Sequence, residues 1–324
     1  LFSLCSSIFK GVEQMKLSIV TTLYKSSPYI DEFYTRISNE AQKITSDYEI
    51  IFVDDGSPDD SLQKAVALYE KDSKVKVIEL SRNFGHHKAI MTGLSHAKGE
   101  FVFLIDSDLE EEPELLGKFW EELHKDKDLD VVYGVQESRK GGWFERWSGE
   151  IFYKLFNKIS HINVPRNLIT CRLTTQAYNQ ALVSHKEREI FLAGLWVISG
   201  FNQKSLLVQK LSHSKTTYSF RHKISLLFNS LTSFSNFPLK VIFYTGISIS
   251  SLSSIYIIWI IFRKLFSNVA LEGWSSLIVS VWFLGGVILA SLGMIGIYIS
   301  KIFTEVKQRP YTIVRKKYGR NKNE

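Results

Sequence analysis

The sequence predicts an α/β domain on a mostly parallel sheet, followed by amphipathic juxtamembrane helices and a two-helix transmembrane hairpin. Three observations carry this. From Lys16 to about Tyr133, apolar β-branched runs alternate with helix-like segments. The run Phe101–Ile105 ends abruptly in Asp106-Ser107-Asp108. The last third holds two apolar stretches, about 239–262 and 274–300, with Lys240 at the start of the first and no charge further inside either. Each is near or above the ~20 residues that span a bilayer.

The elements follow in order. Leu17–Leu23 reads as a strand, and Ser27-Pro28 as a helix start with Asp31 and Glu32 in its first turn. Tyr48–Val53 is the second strand, ending at Asp54-Asp55-Gly56-Ser57-Pro58. A helix to Tyr69, a strand at Val75–Leu80, the loop Ser81–Gly85 and a helix to about Ala97 come next. Phe101–Ile105 is the fourth strand, Pro113–His124 a helix and Asp130–Tyr133 a fifth strand. Strands joined by helices imply a parallel sheet covered on both faces, with ligands beyond the carboxyl ends of the strands. Asp54, Asp55, Arg82, Asn83, Asp106 and Asp108 all fall at those ends.

Beyond the sheet the period changes. Trp143, Trp147, Ile151, Leu155 and Ile159 recur every fourth residue, as in an amphipathic helix that packs on the sheet or lies in a membrane interface. A second amphipathic stretch, 221–237, leads into the first apolar segment. The expected organisation is an extension at 1–14, a catalytic domain at 15–220, the juxtamembrane helix at 221–237, two spans within 238–300 and a basic tail at 301–324.

The formal net charge of +7 would suit nucleic acid, but the basic residues cluster in that tail, so no nucleic-acid partner is expected. Lys301, Lys307, Arg309, Arg315, Lys316, Lys317, Arg320 and Lys322 follow the second span, against Arg263 and Lys264 between the spans. The positive-inside rule then places the tail and the N-terminal domain in the cytoplasm, on the inner membrane of a multi-pass protein. Gly285, Gly286, Gly293 and Gly296 permit close helix packing, compatible with a homo-oligomer. Only Cys5 and Cys171 are present, which fits a reducing compartment.

A strand carries side chains with period two, so Asp106 and Asp108 are expected on one side. Paired carboxylates suit a hard divalent ion, Mg²⁺ or Mn²⁺, shared with substrate phosphates. Asp54-Asp55-Gly56-Ser57 suits recognition of a base N–H or a ribose hydroxyl. In order and spacing, Asp54-Asp55-Gly56, Ser81-Arg82-Asn83-Phe84-Gly85, Asp106-Ser107-Asp108-Leu109, Val132-Tyr133-Gly134, Ser138-Arg139, Leu231-Thr232-Ser233-Phe234 and Glu305-Val306-Lys307-Gln308-Arg309-Pro310 resemble family 2 glycosyltransferases of the polyprenyl-phosphate type. These include dolichol-phosphate mannose synthase and undecaprenyl-phosphate glucosyltransferases.

The resemblance implies a GT-A-type domain, a UDP- or GDP-linked sugar donor, a divalent metal, a polyprenyl-phosphate acceptor and a lipid bilayer as partner. It implies a nucleotide-sugar site from Thr22, Tyr24, Asp54, Asp55, Arg82, Asn83, Gly85, Lys88 and Asp106. Metal ligands would be Asp106, Asp108 and Glu110, and the catalytic set Asp106, Asp108, Arg139 and Arg172. His86, His87 and Lys88 open a helix, a place suited to phosphate. Three departures stand out. Glu110 replaces the usual Gln, Ile169-Thr170-Cys171-Arg172 lacks the usual Asp, and Thr216-Thr217-Tyr218 replaces a Ser-Lys-Tyr element. The expected reaction is inverting displacement. A lipid phosphate is largely dianionic at neutral pH and attacks without a base, provided cations hold it. Arg139, Arg172, Arg188 and Arg221 are the candidates. Other readings are transfer to a lipid-linked saccharide or another hydroxyl acceptor, and a non-catalytic lipid-binding scaffold.

Overall fold

The computed structural model describes residues 16–136, 165, 167–209, 237–267 and 273–319. These fall into two compact units. The first holds an eight-stranded sheet and includes the described residues from Pro310 onward. Its strands are β1 (Leu17–Leu23), β2 (Tyr48–Asp54), β3 (Val75–Leu80), β4 (Phe101–Leu104), β5 (Val131–Gln136), β6 (Leu168–Thr175), β7 (Gln203–Val208) and β8 (Val314–Tyr318). The spatial order is β7-β5-β6-β4-β1-β2-β3-β8. The centre, β4-β1-β2-β3, is parallel, while β6 and β8 run antiparallel to their neighbours.

Alternation within the buried strands sends side chains to two cores. Ile19, Phe52 and Phe103 face one, filled by Phe33 of α1 (Ile30–Ile44) and Phe119 of α4 (Leu115–Lys125), with α2 (Ser61–Lys71) on the same face. Val20, Ile51, Val53 and Val102 face the other. There they meet Ile90 and Leu94 of α3 (His86–His96), Tyr178 of α5 (Gln176–Ser184) and Trp196 of α6 (Leu192–Ile198). The order turns back between β1 and β4, the place at which a sheet of this kind is expected to form its ligand crevice.

The strand–helix alternation is as expected, with differences at the margins. The first helix begins at Ile30, because Ser27, Pro28 and Tyr29 form a turn. β4 stops at Leu104, so Asp106 and Asp108 lie in the following loop rather than on a strand. Their half-exposure still alternates with burial of Ser107 and Leu109. The basic segment expected as a tail supplies β8. Arg315 reaches Glu79 at 3.2 Å, as does the Tyr318 hydroxyl. The Ile313 carbonyl accepts the Ser81 N–H at 2.9 Å. The amphipathic segments at 141–160 and 221–237 fall outside the described residues up to Phe237.

The second unit contains α7 (Phe237–Ser267) and α8 (Trp274–Val306), which touch each other. Among the described residues one helix is long and apolar enough to cross a membrane, over Ser280–Val306. It has mean hydropathy 2.0, and Trp282, Leu289 and Val306 are exposed. The sequence expectation of two spans therefore has one span meeting that standard.

The loops after β1 and β2 are joined through Asp59. Its carboxylate accepts the Ser27 N–H at 3.2 Å, the Ser57 hydroxyl at 2.5 Å and both the N–H and hydroxyl of Ser61. Burial alone would raise this carboxyl, but those hydrogen bonds hold it at about 2. Asp59→Asn should lower unfolding free energy by about 1–3 kcal/mol at pH 7. Because the folded pKa is depressed, the native advantage is complete above about pH 4 and shrinks as pH falls toward 2, which thermal unfolding across pH will show. Truncation after Gln308 removes β8. Amide exchange in Val75–Leu80 and at Ser81 should accelerate by at least tenfold (roughly 1.4 kcal/mol of local opening) relative to β1.

Candidate active site

The loops after β1, β2, β3 and β4 meet beyond the carboxyl edge of the sheet. The connection between β1 and the D-x-D loop is made by its middle residue. Ser107 is buried, and its hydroxyl hydrogen-bonds the Thr22 carbonyl at 2.9 Å and the Ser26 hydroxyl at 3.1 Å. Leu109, also buried, takes φ 57°, and Lys25 in the facing loop takes φ 57°. Left-handed backbone at non-glycine residues costs on the order of 1 kcal/mol each, and such strain collects at functional loops.

The β2 and β3 loops are stapled by Asp55. Its two oxygens accept the N–H groups of Phe84 at 2.7 Å and Gly85 at 3.0 Å. Gly56, at φ 62°, lies so close to this loop that a Cβ would stand 2.5 Å from the Asn83 nitrogen and 2.6 Å from the Arg82 carbonyl carbon. Asp55 thus shapes the loop. Burial raises its carboxyl above the ordinary range, against the pull of the two N–H groups.

Asp54 differs. It is 2% exposed, its Oδ2 accepts the Ser57 N–H at 3.4 Å, and its Oδ1 has no hydrogen bond of normal geometry among the described residues. Burial pushes it up to about 6, opposed by the N–H groups of Ser57 and Gly56 and reinforced by Glu79 and Asp55. Tyr24 is 47% exposed at the end of β1. Arg82 and Asn83 are exposed, and the Arg82 guanidinium stacks 4.1 Å from the Phe84 ring. Gly85, at φ 101°, precedes α3, and Lys88 is half-buried in its first turn. His86 stands between β1 and the D-x-D loop. Its Nδ1 is 3.1 Å from Thr22 Oγ1 and its Nε2 is 3.5 Å from Asp106 Oδ1.

For a divalent cation the D-x-D loop offers two carboxylates. Asp106 and Asp108 are half-exposed oxygen donors in one loop, and Asp108 Oδ1 accepts the Glu110 N–H at 3.0 Å. Among the described residues no three His, Cys, Asp or Glu groups cluster as a metal site, so Glu110 does not complete a set of three. Two carboxylates supplemented by diphosphate oxygens and water are a normal Mg²⁺ environment.

Arg172 departs most from expectation. It is 1% exposed, with its guanidinium 3.0 Å from the Trp196 ring and its N–H groups on the carbonyls of Ile169 and Thr170. The β6 register turns it into the core under α6, so the geometry withdraws it from an acceptor phosphate. Arg188 is half-buried near Tyr311. Arg139 and Arg221 lie outside the described residues. A cavity of about 370 Å³ is lined by His87, Gln136, Asn167, Thr170, Phe191 and Trp196. Sequence reading misses Ser107, Asp59 and the link from His86 to Asp106. The Asp59-Asp60-Ser61 turn before α2 is a local signal for one of them.

The sequence model described as glycosyl transferase family 2 matches residues 18–185. The chain is 52% identical over 305 residues to a protein of Mycobacterium tuberculosis (strain CDC 1551 / Oshkosh) named as putative glycosyltransferases, covering 94% of this chain and 89% of that one. It is 32% identical over 309 residues to the SfII prophage-derived bactoprenol glucosyl transferase of Shigella flexneri, covering 95% of this chain and all of that one. It is also similar to glucosyl-3-phosphoglycerate synthase of Mycobacterium tuberculosis, solved with Mn²⁺, UDP and glucosyl-3-phosphoglycerate (TM-score 0.48, 16% identity, 68% of this chain and 79% of that one). By its match to the family model over more than half its length, and to relatives over nearly all of it, this chain belongs to glycosyl transferase family 2.

Proposed function

We propose that this protein transfers a hexosyl group from a nucleoside-diphosphate sugar to a polyprenyl phosphate at a membrane surface. The observation that carries this reading is the convergence of Thr22, Asp54, the Arg82 loop and the Asp106–Asp108 loop at the β1/β4 crevice. Similarity to bactoprenol glucosyl transferase over nearly the whole chain supports the lipid phosphate as acceptor.

In this reading Asp54 Oδ1 takes an N–H of the donor base, and the exposed Tyr24 ring covers one face of it. Arg82, Lys88 and the first turn of α3 receive diphosphate oxygens. Asp106 and Asp108 would hold Mg²⁺ or Mn²⁺, whose charge would offset that of the departing nucleoside diphosphate. Displacement at the anomeric carbon inverts it. The attacking phosphate oxygen is already anionic, so the chain needs to orient it rather than deprotonate it. The cavity bounded by His87, Gln136, Asn167 and Trp196 accommodates the sugar or the acceptor headgroup. Arg139, Arg188 and Arg221 are the candidate holders of the acceptor phosphate.

The membrane attachment is a hairpin of α7 and α8, with the catalytic unit on the cytoplasmic face of the inner membrane. The apolar, exposed surface of Ser280–Val306 and the basic residues after it support this placement.

The test is nucleotide release by detergent-solubilised full-length protein. UDP- and GDP-sugars are supplied with undecaprenyl phosphate and Mg²⁺ or Mn²⁺, and the lipid product is weighed by mass spectrometry. Asp108→Asn should lower turnover by about two orders of magnitude or more, as expected when several kcal/mol of charge stabilisation are removed. No lipid product with any donor would sink the reading, and product formed only on a hydroxyl acceptor would redirect it.

Asp54→Asn separates binding from folding. Between about pH 4 and 6 the folded protein retains the Asp54 proton that the unfolded chain has lost, so native stability falls as pH rises through this window. The Asn variant should lose that fall and be more stable by roughly 2–3 kcal/mol at pH 7.5, the free energy of ionising a buried carboxyl that titrates near 6 rather than in the ordinary carboxylate range. It should also bind UDP or GDP at least tenfold more weakly. Thermal shift and calorimetric titration measure the two effects.

A further inference from the structure

His86 touches both walls of the crevice. Its imidazole opens α3, held there because Asp55 fixes the N–H groups of Phe84 and Gly85 just before it. One ring nitrogen lies 3.1 Å from the Thr22 hydroxyl and the other 3.5 Å from Asp106 Oδ1. A neutral imidazole has one N–H and one acceptor nitrogen. A hydroxyl can donate or accept, whereas an ionised carboxylate can only accept. The arrangement compatible with all three groups is Thr22 donating to Nδ1 and Nε2–H directed at Asp106. Thr22 also holds the D-x-D loop through its main chain, since its carbonyl accepts the Ser107 hydroxyl. The loop is therefore tied to β1 on both sides of Asp106, by Ser107 below and by His86 across the crevice.

We propose that His86 is a positioning residue that orients the Asp106 carboxylate for the divalent cation, with Thr22 fixing its tautomer. This rests on the reading of Asp106 and Asp108 as the cation's ligands. The 3.5 Å separation is at the outer limit of hydrogen bonding, so the contact acts as an orienting dipole rather than a strong bond. His86 is 48% exposed, which leaves the ring open to a ligand on its other side. Groups that hydrogen-bond a metal-ligating side chain affect metal affinity by about 10–100-fold when removed.

The decisive measurement is Mn²⁺ affinity, read from the electron paramagnetic resonance signal of free Mn²⁺. Full-length protein in detergent is saturated with UDP, which carries no sugar and permits no turnover. Wild type should bind Mn²⁺, and His86→Ala should bind it about 10–100-fold more weakly. His86→Gln should recover most of the loss, because its amide oxygen accepts from Thr22 while its NH₂ points to Asp106. Thr22→Val should weaken binding by a smaller factor. If His86→Ala lowers the melting temperature, His86→Leu against His86→Gln decides, since they have similar volume and only Gln donates. Equal Mn²⁺ affinity in the Leu, Gln and wild-type proteins overturns the proposal. Wild type that binds UDP but no Mn²⁺ overturns the cation reading instead.

Discussion

A single buried carboxylate organises the active edge of this sheet. Asp55 commits both oxygens to the N–H groups of Phe84 and Gly85, drawing the loop after β3 against the end of β2. The approach is close enough that residue 56 must lack a side chain. An ionised carboxylate at 2% exposure is tolerable only because it is hydrogen-bonded twice by main-chain donors. Everything downstream inherits this position. Gly85 starts α3, α3 presents His86, and His86 reaches Thr22 and Asp106. Removing the Asp55 charge would disturb a line of contacts that runs across three strands.

The neighbouring Asp54 shows how adjacent residues of one type divide the work. Asp55 is satisfied internally and belongs to the scaffold. Asp54 is equally buried but keeps one oxygen without a normal hydrogen bond among the described residues, and its carboxyl is pushed up to about 6. A buried polar atom left in this state costs stability unless something supplies a donor. In the proposed function a nucleotide base supplies that donor. Binding and folding energy are then opposed at this residue, as is common where a site is built before its ligand arrives.

Much of the fold is legible in the sequence because its central strands are buried on both faces. Such strands read as continuous apolar runs, and their ends are marked by the abrupt return of polar residues. The carboxylate edge is legible for the same reason. The exact start of the D-x-D loop is not, because Ile105 extends the apolar run past the last ladder residue, Leu104. Arg172 misleads because a guanidinium next to a family motif suggests a phosphate ligand, and nothing local in the sequence signals its burial. Here Trp196, distant in sequence, folds over it and stacks on its guanidinium. β8 resembles a basic tail because Arg315, Lys316 and Lys317 remain exposed and only Val314 and Tyr318 turn partly inward. Asp59 and Ser107 escape a reading by periodicity because their partners are loop N–H groups and hydroxyls, which leave no periodic trace.

The position of β8 in the chain governs the order in which the protein can be completed. Glu79 waits 236 residues for Arg315, and the Ser81 N–H waits nearly as long for the Ile313 carbonyl. During translation the outer edge of β3 stays bare while both long helices are made. The ribosome must therefore deliver the apolar segments before the loop that carries Arg82 and Asn83 can receive its last anchor. A nascent chain stalled before residue 313 would carry a nearly finished sheet with an open, pairing-competent edge. Maturation of the loop that carries Arg82 and Asn83 is thereby coupled in time to the emergence of the helices that precede β8.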